Sequence, residues 1–427
     1  GGYFPSDWFY DICDELGLMV WQDFMFACAV YELTPAFEAN IRQEFIENVK
    51  RIRHHASLGL WCGNNEMEAQ YEENAWPKSK KQYFDYIRLY EYIIPRIVEE
   101  EDPMTFYWPS SPSSGGNYEN SNAENVGDVH YWGVWHGGEP FTAYRKHHYR
   151  FLSEFGFQSF PALQTVRRFT EKEDRNIYSR VMEMHQRNTA ANGKISNYLS
   201  QTYLYPKNFD ELLYCSQLLQ ADAIRYGVEH FRRFRGTCMG AVVWQLNDIW
   251  PVASWASVDY YGNWKALQYA EKRMFAPILL SCAEHGEIDQ KPYVNTLPMP
   301  VELSADLHVA NETAEPVTGT VKWALRLPDS SVVQEGRFTV TAPAFGGAWL
   351  PHLDFTGQDP LRVHLEYALY IEDTLVSSGS TLFCAPKHYA FLDPQLQVSV
   401  ENDVVTVTAA NYAKSVSVET ENDVLRL

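Results

Sequence analysis

Over residues 1–280 short apolar runs alternate with amphipathic helical stretches, and no other feature of this chain restricts its fold as strongly. The runs are Leu18-Met19-Val20-Trp21-Gln22-Asp23, Leu58-Gly59-Leu60-Trp61-Cys62-Gly63, Thr105-Phe106-Tyr107-Trp108, Asp128-Val129-His130-Tyr131-Trp132, Arg150-Phe151-Leu152-Ser153 and Gly240-Ala241-Val242-Val243-Trp244. Each has the length of a strand and enters a polar or aromatic loop at its carboxyl end. Between the first two, Thr34-Pro35 supplies an N-cap and a first-turn proline. The helix that follows puts Phe37, Ile41, Phe45, Val49 and Ile52 on one face. Residues 80–100 repeat the pattern through Phe84, Ile87, Tyr90, Ile94 and Ile97. A Ser/Pro/Gly/Asn-rich loop fills 109–127, residues 160–236 read as mostly helical, and a last helix is expected from Lys265 to about Leu280.

Strands alternating with helices imply a parallel sheet with right-handed crossovers. The six runs are two short of a (β/α)8 barrel. The expected fold is therefore a partial TIM barrel holding about strands 3–8, with the other two before Gly1. A doubly wound open sheet is the second choice, and it lacks the Gly-rich phosphate turn such sheets usually carry. The opening Gly1-Gly2-Tyr3 and the strand-like ending Asn422–Leu427 suggest that both ends are cut from a longer protein. A remnant of this kind has open sheet edges and is expected to be poorly stable and poorly active alone.

The texture changes near Glu284. Val301-Glu302-Leu303-Ser304-Ala305-Asp306-Leu307-His308-Val309 and Val363-His364-Leu365-Glu366-Tyr367 alternate with period two, with turn residues between such runs. The domains expected are a catalytic barrel portion at 1–284, an immunoglobulin-like β-sandwich at 285–386, and the start of a second sandwich at 387–427, where Val404–Thr408 reads as a strand. The class is α/β plus all-β.

Composition narrows the partners. The net charge is −20 and no basic run occurs, which argues against nucleic acid. No apolar run reaches the ~18 residues of a membrane span. The seven cysteines (13, 28, 62, 215, 238, 282 and 384) show no CxxC or metal-ligand spacing. They read as free thiols of a reducing, cytoplasmic compartment, and neither a metal nor a cofactor is expected.

In a barrel of this type the chemistry sits at the carboxyl ends of the strands. The ionisable residues there are Asp23, Glu66, Glu68, Asp128, His130, Glu154 and Asp248. No GxSxG elbow accompanies them. Two glutamates near strand ends are the minimal equipment for glycoside hydrolysis. Glu66 closes Trp61-Cys62-Gly63-Asn64-Asn65-Glu66; alone it could be a surface or capping residue. Glu154 lies in Ser153-Glu154-Phe155-Gly156-Phe157-Gln158-Ser159, where an unpaired carboxylate among aromatics would cost several kcal/mol. Two strands lie between them. If the strand before Glu66 is barrel strand 4, Glu154 follows strand 7, across the barrel mouth.

These motifs, with Val20-Trp21-Gln22-Asp23-Phe24, Asp128-Val129-His130-Tyr131-Trp132 and Trp244-Gln245-Leu246-Asn247-Asp248, resemble glycoside hydrolase family 2, specifically its β-mannosidases. The resemblance covers residues 1 to about 280 strongly and the sandwiches loosely. It implies a retaining exo-β-mannosidase with a covalent glycosyl-enzyme, Glu66 as acid/base and Glu154 as nucleophile. Two negative carboxylates so close should raise one pKa, leaving Glu66 protonated near neutrality. By the same resemblance Asn65 hydrogen-bonds the sugar 2-hydroxyl and Tyr131 donates to Glu154. Trp244 is the expected sugar platform, His130 and Trp132 the pocket wall, and Asp23 a binder of sugar hydroxyls. The partners implied are β-mannoside oligosaccharides or glycoconjugates; assembly as a homodimer is open. A β-galactosidase or β-glucuronidase of the same family would carry the same glutamates, but the Asn-Asn-Glu and Phe-Gly-Phe-Gln-Ser signatures favour mannoside. A non-catalytic carbohydrate-binding barrel would be marked by loss of either glutamate, and both are present.

Overall fold

The computed structural model describes residues 2–290 and 301–418. They fall into two compact units, one of residues 1–131, 148–155 and 238–242, the other of 132–147, 156–237 and the chain from 243 on.

Strands occur in all six of the expected runs: β1 (Val20–Asp23), β2 (Leu58–Cys62), β3 (Phe106–Trp108), β4 (Val129–His130), β5 (Leu152–Phe155) and β6 (Ala241–Val243). They form two three-stranded sheets, ordered β1-β2-β3 and β4-β5-β6. The β1–β2, β2–β3 and β4–β5 pairs are parallel. Between β3 and β4 the chain makes a single antiparallel bridge, Ser113 to Asp128, in place of a ladder.

Helix α1 (Asp7–Leu16) stops at Gly17, whose φ of 67° is the left-handed C-cap conformation that glycine adopts without steric cost. Helix α2 (Pro35–Ile52) starts as expected, with the Thr34 hydroxyl accepting the Phe37 N–H at 3.2 Å. Its buried face is Ile41, Phe45, Val49 and Ile52, packed with Phe24, Phe26 and Trp61. Each such side chain contributes about 1.5–3 kcal/mol on burial. A short helix, α3 (Met67–Glu72), follows Glu66 directly.

The next helical rod departs from expectation. It consists of α4 (Lys80–Tyr86), a π-helical segment (Ile87–Ile93) and α5 (Ile94–Glu101). Phe84 and Ile87, expected inside, are exposed, and Tyr86, Leu89, Tyr90, Ile93, Ile94, Ile97 and Val98 are buried. A π turn holds more residues than an α turn, so a face projected at 3.6 residues per turn drifts off the core.

In the second unit a long helix spans Phe209–Arg233. The helix expected from Lys265 to Leu280 covers only Ala266–Met274. Pro277 ends the helical potential, and β7 (Ile278–His285) pairs antiparallel with β8 (Ser304–Asn311). The strands that follow are β9 (Val317–Arg326), β10 (Val332–Ala342), β11 (Gly346–Trp349), β12 (Leu353–Asp354), β13 (His364–Ile371) and β14 (Thr374–Leu382). One sheet runs β10-β9-β13-β14; in the other, β8 pairs with β7, β11 and β12. Their inward residues, among them Leu307, Val309, Val321, Leu325, Leu365 and Leu369, form one core. A hairpin of β15 (Gln397–Glu401) and β16 (Val404–Thr408) follows. The run 422–427 lies outside the described residues. All seven cysteines are free thiols.

Candidate active site

The turn leaving β2 is fixed from below. A Cβ on Gly63 would lie 2.2 Å from the Pro109 carbonyl oxygen, so only glycine fits. Asn64 is fully buried. Its Oδ1 accepts from the Ser110 hydroxyl (2.8 Å) and the Met67 N–H (3.1 Å), and its Nδ2 donates to the Pro109 carbonyl (3.1 Å) and Tyr86 hydroxyl (3.4 Å). Glu66 therefore enters α3 with φ 64°, a left-handed conformation that costs a non-glycine residue about 1–2 kcal/mol. Its N–H donates to the Ser111 carbonyl at 2.7 Å.

The side chains of Glu66, His130 and Glu154 converge within the first unit. His130 Nδ1 lies 3.0 Å from Glu66 Oε1 and 3.5 Å from Glu154 Oε1. An oxygen of each carboxyl and the imidazole nitrogen all fall within 4.8 Å of one another. In the β4–β5 register His130 is opposite Glu154, which places both on the same side of the pair. The other ring nitrogen, Nε2, is 2.9 Å from Ser111 Oγ. That hydroxyl lies 2.6 Å from Asp128 Oδ2, as does the Ser153 hydroxyl. Asp128 Oδ1 accepts from Trp108 Nε1 (2.8 Å) and the Ser113 N–H (3.0 Å). A carboxylate only accepts, so the single Ser111 proton goes to Asp128. Ser111 Oγ then accepts from His130 Nε2–H, leaving Nδ1 facing the two glutamates.

These contacts decide the charges. Burial raises the Glu66 carboxyl, but the hydrogen bond and charge of His130 and the Cys28 thiol outweigh it, so its pKa lies below the ordinary value. The expected elevation by Glu154 is overturned, because an imidazole stands between the carboxylates. Burial pulls His130 down, but its bond to Glu66 and the charges of Glu154, Glu66 and Asp128 carry it above the usual imidazole value.

Of the other expected residues, Asn65 donates from Nδ2 to Cys28 Sγ at 3.6 Å, and is bridged to Ala27 and Ser111. Tyr131 is buried beside Tyr149, and its N–H donates to the Glu154 carbonyl at 2.9 Å. Asp23 Oδ1 accepts from Trp21 Nε1 at 2.9 Å. Trp132 and Trp244 belong to the second unit. There they flank Gly156: an added Cβ would meet the Trp244 carbonyl oxygen at 2.3 Å and Trp132 Cη2 at 3.2 Å. Sequence reasoning passed over Cys28, whose Sγ lies 3.5 Å from Glu66 Oε2 and whose thiol is pushed up to about 11 by burial and by Glu66. It also passed over Ser111 and Asn122, which sit in a featureless polar loop. Among the described residues, the donor atoms close enough together to hold a metal ion are those of Glu66, His130 and Glu154; the two carboxyls among them are also the number that glycoside hydrolysis by a carboxylate pair uses.

Known proteins match this chain along most of its length. β-Mannosidase B of Aspergillus clavatus is 37% identical over 341 residues, 75% of this chain and 39% of that protein. β-Mannosidase B of Aspergillus niger is 36% identical over 337 residues, again 75% and 39%. The crystal structure of β-D-mannosidase from Dictyoglomus thermophilum superposes with a TM-score of 0.87 at 30% identity, over 99% of this chain and 50% of that one. Residues 304–388 match the Mannosidase Ig/CBM-like domain. The chain is thus homologous to β-mannosidases over three quarters of its length. This β-mannosidase homologue spans about two-fifths of the length of the curated relatives it matches. The exo-chitosanase CsxA of Amycolatopsis orientalis, at TM-score 0.66 and 16% identity over 89% of this chain and 44% of that one, shares the fold. No helix among the described residues is long and apolar enough to cross a membrane.

Proposed function

We propose that the protein is a retaining exo-β-mannosidase acting on terminal, non-reducing β-D-mannose of oligosaccharides or glycoconjugates. The observation that carries this is the convergence of Glu66 and Glu154, with carboxyl oxygens within 4.8 Å. Retaining enzymes hold the pair about 5–5.5 Å apart, and inverting ones about 6.5–9.5 Å, to admit a water. Glu154 attacks the anomeric carbon as the glycosidic C–O bond breaks, and Glu66 protonates the departing oxygen. Glu66, now ionised, takes a proton from water; the water oxygen attacks the same carbon and Glu154 leaves as carboxylate. Two inversions preserve the β configuration. The proton for the first step is held across the 3.0 Å bond between Glu66 and His130 Nδ1. In this reading Asn65 binds the 2-hydroxyl, Tyr131 orients Glu154, and His130 and Asp23 line the pocket.

The six strands are read as strands 3–8 of a (β/α)8 barrel completed by another part of the polypeptide. Phe106 on β3 is 60% exposed and Val242 on β6 is 50% exposed, whereas parallel barrel strands are covered on both faces. β7–β14 are read as an immunoglobulin-like sandwich and β15–β16 as the start of a second.

The test is azide rescue of the full-length chain on an activated aryl β-mannoside. Glu154→Ala should give the α-mannosyl azide and Glu66→Ala the β-mannosyl azide. The opposite products would exchange the roles, and no rescue of either would remove the two-carboxylate mechanism.

A further inference from the structure

Among the described residues the β4 strand is paired with β5 alone. The N–H groups of Val129 and Tyr131 point to the β5 side, donating to Phe151 and Glu154 carbonyls at 2.9 Å. The backbone of His130 therefore faces the open edge. There Asn122 takes the place of a neighbouring strand: its Nδ2 donates to the His130 carbonyl at 3.0 Å and its Oδ1 accepts the His130 N–H at 2.9 Å. The loop bearing Asn122 is gripped in turn by Glu72, the last residue of α3. Glu72 Oε1 accepts the Asn120 N–H at 2.8 Å, and Oε2 accepts the Ser121 N–H at 2.8 Å and the Ser121 hydroxyl at 2.6 Å. Two more carboxylates steady the same loop, Glu91 at the Asn117 N–H (3.0 Å) and Glu68 at the Tyr118 N–H (3.3 Å). The connections close a ring: Glu66 begins α3, Glu72 ends it, Ser121 and Asn122 lead to His130, and His130 Nδ1 returns to Glu66.

We propose that Glu72 and Asn122 are positioning residues for proton delivery by Glu66, acting by holding the His130 imidazole at hydrogen-bonding distance from that carboxyl. Neither side chain is needed to touch substrate. The inference rests on the assignment of Glu66 as acid/base. It predicts a defect in protonating the leaving group and none in nucleophilic attack.

Two aryl β-mannosides separate those steps. A 2,4-dinitrophenolate departs without a proton, whereas a phenolate needs one. With the full-length chain, Asn122→Ala should lower kcat/KM for the phenyl mannoside by about 10–100-fold, within the range general acid catalysis supplies. The dinitrophenyl mannoside should fall by less than about 3-fold on the same ground. Glu72→Gln, which keeps one acceptor and the packing, should show the same split if Asn122→Ala does not fold. Asn122→Asp retains the acceptor for the His130 N–H and should recover part of the loss. Equal losses on both substrates, or no loss on either, overturn the inference alone. Wild-type turnover of neither substrate removes the β-mannosidase reading and the inference with it.

Discussion

Asp128 is the residue whose replacement tests the site's electrostatics most directly. It is buried, and its two oxygens accept four hydrogen bonds, from Trp108, Ser113, Ser111 and Ser153. Asp128→Asn keeps the shape and removes the charge. The indole and the backbone N–H cannot reverse, so the amide oxygen must face them and the amide nitrogen must face the two hydroxyls. Hydrogen bonds to a charged partner contribute about 1.5–3 kcal/mol and neutral ones about 0.5–1.5. A loss of about 1 kcal/mol at each of four bonds, offset by the lower cost of burying a neutral amide, gives a net of about 2–3 kcal/mol. A second effect follows at His130. Ser111 now accepts from the amide, so its own proton turns to Nε2, 2.9 Å away. The neutral imidazole must then carry its proton on Nδ1 and donate it to Glu66. Urea unfolding followed by tryptophan fluorescence measures the first effect, and long-range ¹H–¹⁵N correlation of labelled histidine reads the tautomer. A protonated Nε2 in the neutral imidazole of the variant, or a destabilisation under about 0.5 kcal/mol, would refute the proton assignment.

Other consequences can be checked with the same protein. Asn64→Ala leaves four buried partners unmet, so it should destabilise by about 3–4 kcal/mol in chemical unfolding; a loss below about 1 would mean that the turn before Glu66 is held by other groups. Gly156→Ala drives a Cβ to 2.3 Å from the Trp244 carbonyl oxygen and should cost about 1–3 kcal/mol, with a change in Trp244 fluorescence; unaltered stability would show that the backbone yields there. Burial pushes Glu68 up to about 7 from 4.5. A raised folded-state pKa means that its contribution is intact below about pH 4.5 and is lost as pH rises through about 7. Glu68→Gln should therefore raise Tm at pH 8 and leave it nearly unchanged at pH 4; an equal shift at both pH values would remove burial of the charge as the cause. If Trp244 is the sugar platform, Trp244→Ala should weaken kcat/KM on an aryl β-mannoside by at least 10-fold, about 1.4 kcal/mol, and an unchanged value would assign the indole to packing alone.

Much of the fold was legible from local rules. The Thr34-Pro35 start of α2 and its buried face follow from capping and a 3.6-residue period, and the six strands stand where apolar runs meet polar loops. The inner register of the rod and the end of the last helix were not legible. A π segment at Ile87–Ile93 and the pairing of Ile278–His285 with a strand that starts at Ser304 depend on contacts that no local window contains.

The candidate site divides in the same way. The candidates themselves were visible in the sequence: two glutamates after strands, one preceded by two asparagines and one followed by an aromatic-glycine pair. Residue type and strand-end position nominate them, and the family resemblance supplies the roles expected of them. How those groups are charged and held depends on contacts made in three dimensions. His130, 64 residues from Glu66 in sequence, stands between the carboxylates and reverses the expected direction of the Glu66 pKa. Ser111, Asn122 and Glu72 take their roles from a polar loop whose hydrogen bonds exist only once β3, β4 and α3 are brought together. Electrostatic coupling and hydrogen bonding act over a few ångströms of space, and distance along the chain does not encode that separation.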